Sequence, residues 1–145
     1  MSPIERTAGG GGGGGSTQLD YVTQSTDLNV TANTAATAQT FIAGNSVTYG
    51  GATRIKVEFW SVAVFSTVGA CIIELFRDTT DLGRVSQSAL SAPAGPFYGA
   101  FFDTPTAGAH TYTIAAWRSN NTSTASVTGT TGGVFLPAWY RITTA

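Results

Sequence analysis

Hydrophobic and polar residues alternate along much of this chain with a period of two, most clearly over residues 54–65. Ile55, Val57 and Phe59 share one face there, and Lys56, Glu58 and Trp60 share the other. Beyond Trp60 the second face turns apolar at Val62 and Val64, which predicts burial increasing along the strand. Shorter segments rich in β-branched and aromatic residues read as strands at 17–23, 28–32, 39–42, 45–49, 70–77 and 82–90. Others follow at 97–102, 110–118, 125–129 and 134–143. Turn-forming stretches separate them: Gly50-Gly51, Asp78-Thr79-Thr80-Asp81, and residues 91–96, 104–108, 119–122 and 130–133. Breaks every 8 to 12 residues or so are the spacing of a sandwich or barrel. No window carries a helical period. The pattern predicts an all-β fold, an antiparallel β-sandwich over residues 16–145.

Ahead of it stands a different kind of sequence. Met1, Ser2, Pro3, Ile4, Glu5 and Arg6 open residues 1–15 and lead to seven consecutive glycines, Gly9 through Gly15. Glycine has no side chain to bury and loses the most backbone freedom on ordering, so the run reads as a tether. Fully extended, it would reach about 23 Å. The expectation is an extended N-terminal arm whose terminal peptide docks on a neighbour. The alternative is a disordered leader or a cloning linker.

Composition adds one constraint. Charged residues make up 10% of the chain, against roughly 25% in an average soluble domain, and Lys56 is the only lysine. A surface this short of charge is expected to be covered in part by copies of the chain or by another protein. A net charge of −1 with scattered basic residues argues against a nucleic-acid partner. No apolar run approaches the ~20 residues of a membrane span, and no basic segment precedes one, so neither a membrane partner nor a secretory signal is expected. Folding in a cytoplasm follows. Cys71 stands alone and reads as a small buried apolar residue.

Candidate chemistry is sparse. His110 is the only histidine, and a triad would need it beside an acid such as Asp103 and a serine, with no Gly-x-Ser-x-Gly turn in support. One His and one Cys do not make a zinc site within a chain; only a His shared around a threefold axis would. Asp78 and Asp81 read as turn residues bonding their own backbone rather than as calcium ligands. Glu74, between Ile73 and Leu75, is the first suspect were the chain an enzyme, ahead of pairs drawn from Glu58, Asp78, Asp81 and Asp103. No catalytic residue, metal site or cofactor is expected. Alternation puts Trp117 with Thr113 and Ala115, opposite Tyr112, Ile114 and Ala116. Trp139 likewise opposes Leu136, Ala138, Tyr140 and Ile142. Tryptophans facing away from the core of a charge-poor chain point to subunit contacts. Trp60, Trp117, Trp139 and Glu74 are the candidate interface residues; sugar stacking by Trp117 or Trp139 is the competing reading.

Residues 51–145 also carry an ordered set of weak motifs. These are the 54–65 strand, a hydrophobic strand running into Asp78-Thr79-Thr80-Asp81-Leu82-Gly83, then Thr104-Pro105-Thr106-Ala107-Gly108-Ala109-His110-Thr111-Tyr112, and the terminal strand around Pro137-Ala138-Trp139-Tyr140. In that order they resemble the small jelly-roll domains of tailed-phage virion proteins: head-decoration, head-fibre, collar and tail components. The resemblance implies a homotrimer without shared catalytic residues, located in the virion and assembled in the host cytoplasm. It departs from long fibres in having no coiled-coil or repeat-rich stem. The expected role is therefore a capsid decoration or cement protein, its arm held by the major capsid protein or another virion protein. A tail-fibre or collar domain that binds a host receptor or glycan is the alternative, and a depolymerase a distant third.

Overall fold

The computed structural model describes residues 15–88, 95–129 and 136–145. Among them the alternating segments form strands β1 (Gln18–Gln24), β2 (Leu28–Val30), β3 (Gln39–Ala43), β4 (Val47–Gly50), β5 (Ile55–Ser66) and β6 (Cys71–Arg77). Then come β7 (Thr80–Gln87), β8 (Gly95–Asp103), β9 (Ala107–His110), β10 (Tyr112–Arg118), β11 (Ala125–Val127) and β12 (Ala138–Thr144). Strand β5 is the spine of the larger sheet. It pairs with β8 along one edge, and with β12 and then β11 along the other. Strands β1 and β2 extend that second edge by pairing with β12 and β11. The smaller sheet runs β3-β10-β6-β7, and β4 and β9 form a separate ribbon. Every one of these pairings is antiparallel.

The two sheets pack through the faces that the alternation marked as apolar. Ile55, Val57, Phe59, Tyr140 and Ile142 from the larger sheet meet Phe41, Ile73, Leu75, Tyr112 and Ile114 from the smaller. Phe59 stands edge-on to Phe41 across the gap, centroids 5.9 Å apart, and lies 5.8 Å from Phe97 on its own sheet. Both spacings are in the range where ring quadrupoles add to burial. Cys71 is buried in this core, as expected, and burial pushes its thiol up to about 12. Gly44 is required where β3 ends. A Cβ there would lie 2.8 Å from both Asp20 Oδ2 and Tyr140 Oη. Buried Asp20 accepts from the Asn45 backbone N–H and from its Nδ2, each at 2.8 Å, which ties β1 to the turn after β3.

Several local expectations change. Strand β5 bulges between Ser61 and Val64, so Val64 returns to the core instead of joining Val62 outside. Val62 and Ala63 are half-buried between buried Ser61 and Val64, and burial does not rise along the strand. Ser61 holds the bulge: its hydroxyl donates 2.6 Å to the Thr128 carbonyl and 3.0 Å to that of Ala63. The four-residue turn at 78–81 shrinks to Asp78-Thr79, because Arg77 already pairs with Thr80. Asp78 takes φ of 55°, a region that aspartate tolerates better than most residues. Segment 110–118 splits at Thr111, since His110 pairs with Val47 of the ribbon while Tyr112 pairs with Arg77 of the smaller sheet. Leu136 is exposed, short of the start of β12, and does not join the core. The arm residues Met1 to Arg6 and Gly9, and segments 89–94 and 130–135, lie outside the described residues.

Candidate functional site

The outward face of the larger sheet collects aromatic rings from four strands. Trp139 on β12 lies directly opposite Trp60 on β5, which lies opposite Tyr98 on β8; Tyr21 on β1 lies opposite Arg141. The rings form a strip across the strands, Tyr21 to Trp139 at 6.4 Å and Trp139 to Tyr98 at 6.5 Å. Tyr21 and Tyr98 are 47% and 52% exposed, and Arg141 lies 5.4 Å over the Trp139 ring between them.

Beneath the strip sits Glu58, whose side chain is only 6% exposed. Its Oε1 accepts from the Tyr98 hydroxyl at 2.5 Å and from Lys56 Nζ at 2.9 Å. Its Oε2 accepts from Arg141 Nη2 at 2.7 Å and Nε at 3.0 Å. Burial opposes ionisation of Glu58, but these charge-assisted bonds more than offset it and hold the carboxyl at about 2. With every lone-pair direction in use, Glu58 is a structural anion that positions two cations. It is not a free base.

One end of this face opens into a cleft of about 550 Å³ lined by Arg54, Lys56, Glu58, Phe102 and Arg141, with Gly15 and Ser16 at its edge. Arg54 lies over the Phe102 ring, 4.4 Å from the centroid. It has no carboxylate partner among the described residues. Lys56 and Arg141 thus engage one carboxylate, and Arg54 lines the same cleft.

The outward face of the smaller sheet is built otherwise. Trp117 on β10 donates its indole N–H to Glu74 Oε2 at 2.9 Å, and Arg84 lies 5.6 Å over the Trp117 ring. Desolvation raises the Glu74 carboxyl above its ordinary value, with the Trp117 bond working against the shift. Around this pair lie Ile72, Phe76, Thr113 and Ala115, and β7 brings Arg84 opposite Glu74 and Asp81 opposite Phe76. Replacing Glu74 with glutamine keeps an acceptor for the indole and removes a charge that burial disfavours. Stability of E74Q at neutral pH should stay within about 1 kcal/mol of the parent or exceed it. A raised folded value means that the Glu74 contribution is complete below pH 4.5 and lost as pH rises above it. Urea titrations at several pH values should show that trend flattened in E74Q.

The remaining candidates are engaged in turns and strand contacts. His110 Nδ1 pairs with Asp78 Oδ2 at 2.8 Å, and its Nε2 lies 3.1 Å from Thr106 Oγ1, so the ring locks a turn. The backbone N–H of Thr111, and then His110, hold Asp78 below the usual carboxylate range. Asp103 accepts from Arg77 at 2.8 Å and from the Tyr112 hydroxyl at 2.6 Å, away from His110. Asp81 accepts from the Gly83 N–H, a turn role. Among the described residues no three His, Cys, Asp or Glu side chains are placed to hold a metal ion.

Of the residues singled out from the sequence, Trp60 and Trp139 come together on the larger sheet, and Trp117 and Glu74 on the smaller. Gly15 is exposed beside the cationic cleft. Sequence reasoning missed Tyr21, Tyr98, Phe102, Arg54 and Arg141 as partners of one site. Their alternation was readable, but not their adjacency. No protein-family model and no curated protein matches this chain. What fold and site define together is an antiparallel β-sandwich with one aromatic, cation-edged face and one built around the Trp117–Glu74 pair.

Proposed function

We propose that this chain is a non-enzymatic structural protein of a bacteriophage virion, a homotrimer of jelly-roll domains that decorates or cements the shell and is anchored by its N-terminal arm. The observation that carries the reading is strand order. Set aside the short strands β2, β4, β9 and β11, and the eight that remain divide as first-eighth-third-sixth and second-seventh-fourth-fifth. That interleaving supports a jelly roll, the two-sheet Greek-key architecture of viral capsid proteins and lectins. Fold alone does not assign function, so the surface must agree. The outward face of the smaller sheet offers half-buried Phe76 and Thr113, over buried Ile72 and Ala115, beside a Trp117 whose polar atom is already satisfied. Such an aromatic patch suits a subunit contact, where aromatic residues are enriched. Residues 1–15 would then give each trimer three tethered peptides, and their linked binding would exceed that of one.

Light scattering of the full chain should report a trimer. Thr113→Arg, placed at the centre of that face, should shift the mass to monomer without loss of folded far-UV signal. Deleting residues 1–15 should leave the trimer intact and abolish binding to undecorated capsids. A monomeric parent chain would end the trimer reading. Capsid binding that survives the deletion would end the arm's role.

A further inference from the structure

Two features of the larger sheet's outward face lie away from the contact proposed for the smaller sheet: the ring strip and the cations beside it. Three of the seven basic residues, Arg54, Lys56 and Arg141, line one cleft whose one side-chain carboxylate among the described residues is Glu58, with Ala145 also in its lining, in a chain of net charge −1. Glu58 orients Lys56 and Arg141 without exhausting them. Lysine carries three donors and arginine five, and Glu58 engages one of the former and two of the latter. Arg54 engages no carboxylate among the described residues. The cleft is therefore a preformed anion site, since the buried carboxylate holds its cations in place before any ligand arrives.

The neighbouring surface limits the ligand. Phe102, 47% exposed and overlaid by Arg54, forms one wall, and the Tyr98–Trp139–Tyr21 strip, with ring spacings of 6.5 and 6.4 Å, lies on the same outward face. An open aromatic ring attracts the polarised C–H face of a pyranose through its negative quadrupole face. The tyrosine hydroxyls supply polar contacts at the edges. A nucleic acid would need a longer basic stripe than one cluster. A second copy of this chain, with acidic net charge spread thinly, brings no concentrated anion. We infer that this face binds an acidic saccharide, a uronic or sialic acid glycan whose carboxylate sits among Arg54, Lys56 and Arg141 while its rings stack along the strip. The site adds a glycan contact to the structural role and does not depend on it.

The test uses the full chain and isothermal titration with a short oligogalacturonate beside its methyl ester, and sialyllactose beside lactose. Each pair differs chiefly in the carboxylate. Expected is binding of at least one acidic probe that weakens tenfold or more in its neutral counterpart and falls as salt is raised. Arg54→Gln removes a cation that no described carboxylate pairs with, and should weaken binding at least tenfold with an unchanged thermal midpoint. Tyr21→Ala, at the far end of the strip, should weaken the longer oligogalacturonate more than sialyllactose. The inference is overturned if acidic and neutral probes bind alike, if neither acidic probe binds at about millimolar concentration, or if Arg54→Gln binds like the parent. A change of mass in Arg54→Gln by light scattering would overturn it too, making this face a contact between copies, whereas the Thr113→Arg result reports separately on the smaller sheet.

Discussion

Replacing Phe59 with alanine should lower the unfolding free energy by about 3–5 kcal/mol, the range for deleting a fully buried aromatic ring. Phe59 is 0% exposed and joins Phe41 on the opposite sheet to Phe97 on its own. Its loss removes burial and two ring contacts, and leaves a void lined by two antiparallel sheets. Sheets restrained by hydrogen-bond ladders relax poorly into a cavity, so the cost should fall at the upper end. Each kcal/mol moves the midpoint of a domain this size by roughly 3–5 °C, so thermal melting alone resolves the effect. Phe59→Leu, which preserves most of the volume, should cost far less, under about 2 kcal/mol. If alanine and leucine behaved alike, Phe59 would not be the inter-sheet bridge that its geometry indicates.

Glu58→Gln should cost about 1–3 kcal/mol at neutral pH, though the carboxylate lies on the outward face. The glutamine amide presents donors toward Lys56 and Arg141, which are themselves donors, so acceptance on one side is lost. Lys56 and Arg141 are 33% and 40% exposed, and solvent will take over part of their solvation. That screening sets the upper bound. The pH dependence is more diagnostic. The folded carboxyl is held at about 2 against an ordinary value of 4.5. Its contribution is therefore complete above pH 4.5 and lost as pH falls toward 2. Urea denaturation across that window should show parent and Glu58→Gln converging at the acid end. Glu74, shifted the opposite way, imposes the opposite slope from pH 4.5 upward. The two glutamine variants should thus tilt the stability profile in opposite directions. Parallel profiles would mean that Glu58 is not the engaged anion described above.

Much of the fold was legible because period-two alternation is a local property. The inward set Ile55, Val57 and Phe59, the outward set Lys56, Glu58 and Trp60, and the outward placement of Trp117 and Trp139 all read directly from spacing. The bulge at Ser61–Val64 did not. It depends on the Thr128 carbonyl, 67 residues away, accepting from Ser61. The two-residue turn at Asp78-Thr79 was hidden for the same reason, since its left-handed residue is held by His110 and Thr111 from another segment. Glu74 was recognised as an outward carboxylate flanked by core residues; its indole partner lies 43 residues on. The candidate glycan face was least legible. Its members come from β1, β5, β8 and β12, and the Tyr98–Glu58 and Arg141–Glu58 bonds span 40 and 83 residues.

The sequence by itself determined which way side chains face along the unbulged strands, how little charge the chain carries, and that glycine alone fills residues 9–15. Those follow from covalent geometry and composition, which need no partner strand. Only the tertiary structure decided that β12 and β8 flank the start of β5, and hence that three cations and a row of rings share one face while Trp117 and Glu74 share another. Strand pairing is chosen by the whole core at once, through contacts remote in sequence. A site assembled across four strands is therefore a property of the packing, even where each of its residues was visible in the chain.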